Sequence, residues 1–141
     1  MKWFDCRQYK DPGQGKAGIS THCGEHLYIM FQLADHKDFP VFLRDLKDWM
    51  IQIQNADTVQ KQAKVDRAGF VCTSGTHRSV ACARIAFECL TRSGYNAKQP
   101  LHLSYGTWVQ RKRCHTCRCC KLDNPDKEQF FHWCHTWLLS M

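Results

Sequence analysis

The stretch from Ala68 to Gly94 constrains this chain more than any other, because an apolar segment, a small-residue turn and a long helix follow one another directly. Ala68, Gly69, Phe70, Val71 and Cys72 predict a short buried strand. Residues 73–77 form a turn, and residues 78–91 predict a helix built on Val80, Ala81, Cys82, Ala83, Ile85, Ala86, Phe87, Cys89 and Leu90. Its polar residues Arg84, Glu88 and Arg92 recur every four positions, which predicts one wet stripe on a buried rod. Gly94 supplies the stop. Leu101, His102, Leu103 and Ser104 predict a second strand, placed for parallel pairing after a crossover helix. The expected class is therefore α/β: a small three-layer domain with a mostly parallel sheet.

The flanking sequence agrees with one such domain. The aromatic opening at residues 2–7 predicts a strand ending near Asp5 and Arg7, and Pro12, Gly13, Gly15 and Gly18 make residues 10–18 a loop. A helix begins at Asp38, Phe39 and Pro40, with Phe42, Leu46, Trp49, Met50 and Ile53 on one face. Residues 55–67 are polar and predict an exposed connection. A chain of 141 residues has room for about one core, and 43% hydrophobic against 23% charged residues argues against disorder. No apolar run reaches bilayer length and the start lacks a secretory apolar segment, so a cytoplasmic protein without membrane contact is expected. The formal charge of +7 favours an anionic partner.

The turn itself carries the chemistry. Thr73, Ser74, Thr76 and Ser79 offer hydroxyl donors, Gly75 relaxes the backbone, and His77 and Arg78 add further donors at a helix N-terminus. Such a turn is expected to hold a phosphate, with Arg78 forking onto two oxygens. An ordinary strand-to-helix turn around a buried thiol is the plainer alternative. The spacing Cys72-x5-Arg78-Ser79 also resembles the signature of cysteine-dependent phosphatases, which would make Cys72 a nucleophile, Arg78 its phosphate clamp and Ser79 an aid to the leaving thiolate. Val71 stands where those enzymes carry a histidine, and neither Asp57 nor Asp66 lies in a recognisable general-acid loop.

A second resemblance covers more of the chain. The run from Phe70 through Cys72, Thr73, Gly75, His77, Arg78, Ser79 and Val80 resembles the Cys-Thr-Gly-Gly-x-His-Arg-Ser-Val loop of the C-terminal domain of the RNase adapter family RapZ, with Ser74 in place of a glycine. Phe4, Asp5 and Arg7, followed by Asp11 and Pro12, are similar to that domain's opening, and the resemblance spans about residues 1–113. It implies a domain akin to the sugar-phosphate half of phosphofructokinase that binds glucosamine 6-phosphate and small RNA as a regulator, not a catalyst. By position it implies that Asp5, Arg7, Cys72, Thr73, Gly75, His77, Arg78 and Ser79 surround the ligand, with Asp5 suited to an amine or hydroxyl. The family's kinase-like half with its Walker-type loop falls outside the resemblance.

The last 31 residues, 111–141, read as an appendage to a domain covering 1–110. Cys114, Cys117 and Cys120 make a Cys-x2-Cys-x2-Cys run, and Asn124 and Pro125 then cap a helix carrying His132, Cys134 and His135. The expected site is structural Zn²⁺ held by Cys114, Cys117, Cys120 and His132, with Cys134 and His135 as alternatives for the fourth ligand. Reduced, unliganded thiols and disulfides are the alternatives. His22, Cys23 and His26 form a looser metal pattern and are expected to be ordinary packing residues. Arg111, Lys112, Arg113, Arg118 and Lys121 would form a basic face suited to RNA phosphates, or a merely solvated one.

Overall fold

Two parallel strands pair among the described residues, and of their eight residues only Phe4 is buried, so the strand expected to be buried at residues 68–72 is half-exposed up to Val71. β1 (Lys2–Asp5) pairs with β2 (Ala68–Val71) in the register Lys2↔Ala68 to Asp5↔Val71. In this computed structural model residues 1–9, 22–60, 66–73, 77–103 and 116–141 are described, and among them four helices surround the two-stranded sheet. They are α1 (Leu27–Ala34), α2 (Phe39–Gln60), α3 (Arg78–Arg92) and α4 (Pro125–Leu139). None of these is long and apolar enough to cross a membrane. The predicted loop at 10–18 and the residues 61–65 lie outside the described residues.

Alternation in β1 turns Phe4 inward, where it stacks on its register partner Phe70 at 4.9 Å and meets Phe42 and Trp49 of α2 edge-on at 5.7 and 6.0 Å. These pairings attach α2 to one face of the sheet. The predicted apolar stripe of α2 is indeed its inner face, with Leu43 fully buried beside Phe42 and Leu46. Helix continues through Gln60, so the first part of the polar connection expected at 55–67 is the end of α2. Helix propensity favours this, since residues 51–60 contain neither Gly nor Pro.

The helix α3 matches its prediction at both ends. Gly94 adopts φ +92°, Tyr95 N–H donates to Leu90 O at 3.0 Å and Gly94 N–H to Thr91 O at 3.1 Å, the paired bonds of a Schellman stop. Its polar stripe is not wet, however. Arg84 is buried and donates through Nε to both Glu25 oxygens at 2.9 and 3.2 Å, while Arg92 pairs with Glu128 of α4 at 2.9 Å. Sequence periodicity marks a polar stripe but cannot show that another element supplies opposite charges to cover it.

Two further expectations change. Residues 101–103 form no strand: Leu101 and Leu103 are 85% and 96% exposed, while His102 turns inward to within 3.9 Å of Glu25. The described sheet is accordingly a two-stranded parallel pair, an α/β arrangement without the third strand. The C-terminal helix also shares the main core. Asn124 caps it through Oδ1 to Asp126 N–H at 2.8 Å, as its sequence predicts, and Phe130, Phe131, Cys134 and Leu138 then join the same apolar cluster as Phe4, Phe39 and Ile85. Among the described residues nine cysteines are present as thiols and none is assigned to a disulfide.

Among the described glycines, Gly24 has the closest surroundings, because residues 22–26 pack against the first turn of α3. A Cβ added at Gly24 would stand 2.1 Å from His77 O, 2.5 Å from Ala81 N and 2.9 Å from Val80 Cβ. Two of these are backbone atoms that cannot swing away. Gly24→Ala is therefore expected to cost at least about 2 kcal/mol, a Tm fall of roughly 5 °C or more, measurable by urea and thermal unfolding. Gly69→Ala, which meets only the outer edge of the exposed Trp3 ring, is expected to cost less.

Candidate anion-binding site

Parallel pairing brings the carboxyl ends of β1 and β2 to one edge. Asp5 stands opposite Val71, and Cys6 N–H extends the pairing by donating to Val71 O at 2.7 Å. The helix α3 is the element that follows β2 in the chain, so its positive end faces the same edge. In parallel sheets this is where ligands bind, because loops and helix N-termini converge there. Residues 74–76, and with them the expected contributions of Ser74, Gly75 and Thr76, lie outside the described residues. Thr73 is exposed at the lip.

Cys72 and Ser79 meet each other directly. Ser79 N–H donates to the Cys72 sulfur at 3.4 Å, and the thiol lies 3.2 Å from Ser79 Oγ. Arg78 is 9% exposed, and its Nη1 donates to Arg7 O at 3.0 Å and Tyr9 O at 2.8 Å. That grip fixes the guanidinium plane and holds residues 7–9 over the strand ends. Its Nε is buried with no acceptor among the described residues. An unmet donor on a buried cation costs about 1–3 kcal/mol or more, which an arriving anionic oxygen would relieve.

Asp5 and Arg7 stand at the exposed rim as a bidentate pair, Nε to Oδ1 at 2.9 Å and Nη2 to Oδ2 at 2.8 Å. Hydrogen bonds from the Arg7 side chain and backbone, aided by the charge of Arg78, pull the Asp5 carboxyl down to about 2. Asp5 is thus an anion at neutral pH. His77 points elsewhere. Its Nε2 lies 2.7 Å from the carbonyl of His22, so the imidazole ties α3 to the segment before α1.

The cysteine-rich tail is arranged differently from its sequence expectation. Cys134 faces Cys89 in the core, where burial pushes the Cys89 thiol up to about 12 and the Cys134 thiol up as well. His135 Nε2 meets Ser93 Oγ at 2.9 Å, and His132 is exposed on α4. Thus α4 brings none of its three candidate ligands to Cys117 and Cys120, because its packing against α3 dictates which way each points. Cys114 lies outside the described residues. Instead Cys117 clusters with His22 and His26, whose ligand atoms all fall within 4.8 Å of one another, and His22 Nδ1 lies 3.3 Å from the Cys120 sulfur. The sequence signal is the His-x3-His spacing of His22 and His26, which by itself cannot show the cysteines some 90 residues away in the chain. Burial, with the neighbouring His22 and Lys127, lowers His26 to about 4, so it is neutral at physiological pH.

Of the basic residues proposed for RNA, Arg118 and Lys121 are exposed on the same cysteine turn, and Arg111, Lys112 and Arg113 lie outside the described residues.

The family model described as the RapZ C-terminal domain matches residues 2–103. A protein of Cereibacter sphaeroides (strain ATCC 17029 / ATH 2.4.9), named as a nucleotide-binding protein, is 29% identical over 92 residues, which is 65% of this chain and 30% of that protein. The chain therefore matches under a third of that relative's length. No solved structure matches it.

The bond from His77 to the His22 carbonyl yields a test. His77→Phe is expected to lose about 1–3 kcal/mol in urea unfolding by leaving a buried carbonyl unmet, and His77→Gln should recover part of it.

Proposed function

Because this chain belongs to the RapZ C-terminal domain family, we propose that it is a non-catalytic regulatory domain that takes a phosphorylated small molecule at the carboxyl edge of β1 and β2. The observation that carries this reading is Arg78, a buried cation whose Nε lacks an acceptor among the described residues at the N-terminus of α3. A phosphate oxygen would complete that donor and meet the positive end of the helix together with Ser79 and the intervening turn. The name of the Cereibacter relative fits the same phosphate chemistry. Asp5, ionised and exposed at the rim, suits an ammonium or hydroxyl group, which favours an amino-sugar phosphate such as glucosamine 6-phosphate. Cys72 serves in this reading as a structural thiol that accepts Ser79 N–H.

Glucosamine 6-phosphate at a hundred times its Kd is expected to stabilise the protein by about 2.7 kcal/mol, a Tm rise of several degrees. Arg78→Gln should abolish the rise, with circular dichroism checking that it still folds; Ser79→Ala, which spares the Arg78 grip on residues 7 and 9, should weaken it. No rise with the wild-type protein at millimolar ligand would remove the reading. Aryl phosphate turnover is expected to be absent in wild type and Cys72→Ser alike, whereas turnover lost only in Cys72→Ser would establish the phosphatase.

The same reading extends to RNA, held through Arg111, Lys112, Arg113, Arg118 and Lys121. Joint neutralisation of Arg111, Lys112 and Arg113 is expected to flatten the slope of log affinity against log salt by about 2, measured by filter binding. Unchanged affinity and slope would reject it.

A further inference from the structure

The geometry points to a tetrahedral metal site, most suited to Zn²⁺, formed by His22 and His26 ahead of α1 and by Cys117 and Cys120 of the C-terminal turn. It stands independently of the anion site, and half of it lies beyond the residues that the family model matches. Bonds of about 2.0–2.3 Å at tetrahedral angles separate ligand atoms by roughly 3.3–3.8 Å. The ligand atoms of His22, His26 and Cys117 all lie within 4.8 Å of one another, and Cys120, whose sulfur stands 3.3 Å from His22 Nδ1, is the neighbouring thiol placed to turn in as the fourth ligand. Two imidazoles and two thiolates form the donor set that selects zinc, and two thiolates neutralise its charge.

The surroundings hold these donors in place without a metal. Cys120 N–H donates to Cys117 O at 3.1 Å, closing the Cys-x2-Cys turn, and Leu27 N–H donates to Cys119 O at 2.9 Å, joining that turn to the start of α1. Lys127 Nζ donates to Cys120 O at 3.0 Å. His22, His26 and Cys120 are buried, so thiolates there would be shielded from solvent. The His77 bond to His22 O fixes the first ligand segment from α3.

Loading has a defined balance. Two S–H protons leave to solvent as two S–Zn bonds form, with no change of oxidation state. His26 Nδ1 accepts Tyr28 N–H at 3.1 Å in the structure. A neutral imidazole has one nitrogen lone pair, so the metal-bound state must give up this cap bond, whichever ring nitrogen is used.

Metal analysis of the full chain, purified under reducing conditions, is expected to find about one Zn²⁺ per chain, and Co²⁺ in its place should give the intense visible bands and sulfur charge-transfer band of a tetrahedral thiolate site. Cys120→Ser, Cys117→Ser and His22→Asn should each lower metal content severalfold, whereas Cys114→Ser and His132→Ala should leave it unchanged. Should a ligand variant fail to fold, alkylation of the wild-type protein decides: Cys117 and Cys120 should be protected until a chelator is added. Absence of bound metal with no uptake of added Zn²⁺ or Co²⁺ would overturn the site, as would a Cys117–Cys120 disulfide surviving reduction, or metal lost on changing Cys114 or His132 alone.

Discussion

Residues 22–26 lie so close against the first turn of α3 that only glycine fits at position 24, and much of the molecule depends on that contact. On one side the approach lets His77 reach the His22 carbonyl, which fixes where α3 begins. The start of α3 in turn sets Arg78, whose hold on Arg7 O and Tyr9 O places the strand ends and the rim pair of Asp5 and Arg7. On the other side the same segment presents His22 and His26 to the cysteine turn and passes Glu25 to Arg84. One backbone approach thereby links the candidate anion edge, the thiol–imidazole cluster and the buried charges.

Those buried charges explain why the C-terminal segment is part of the domain. Glu25 accepts from Arg84 and lies 3.7 Å from Lys127, a lysine with no exposed surface whose ammonium also donates to Cys120 O. Burial lowers Lys127, and the Glu25 carboxylate opposes that shift. Paired charges of this kind add little net stability, since desolvation cancels most of their attraction, yet breaking one leaves a costly orphan. They favour one docking of α4 on α3. The apolar contacts of Phe130, Phe131 and Leu138 supply the adhesion, and the charges select its register.

Local patterns were legible where neighbours in sequence are neighbours in space. The capping of α4 by Asn124, the Schellman stop at Gly94 and the apolar face of α2 all depend on contacts within a few residues, so spacing alone reveals them. Helix α1 was not foreseen, because Leu27, Ile29, Met30 and Leu33 are buried within a run too short and too uniformly apolar for periodicity to separate from other buried segments. Leu101 and Leu103 misled for the converse reason: alternation was present, but no sheet edge receives them and both face solvent.

From its residue order alone, this chain determined its class, its strand-to-helix turn at Cys72–Ser79 and its likeness to the RapZ C-terminal domain, since each is written in short stretches of local pattern. Only the tertiary structure decided which donors meet. Arg84 became an internal partner of Glu25, and His132 turned outward while His22 and His26 met Cys117 and His22 also met Cys120. Ligand sets and ion pairs are contacts between distant segments, and their choice follows from how helices pack, which no local spacing encodes.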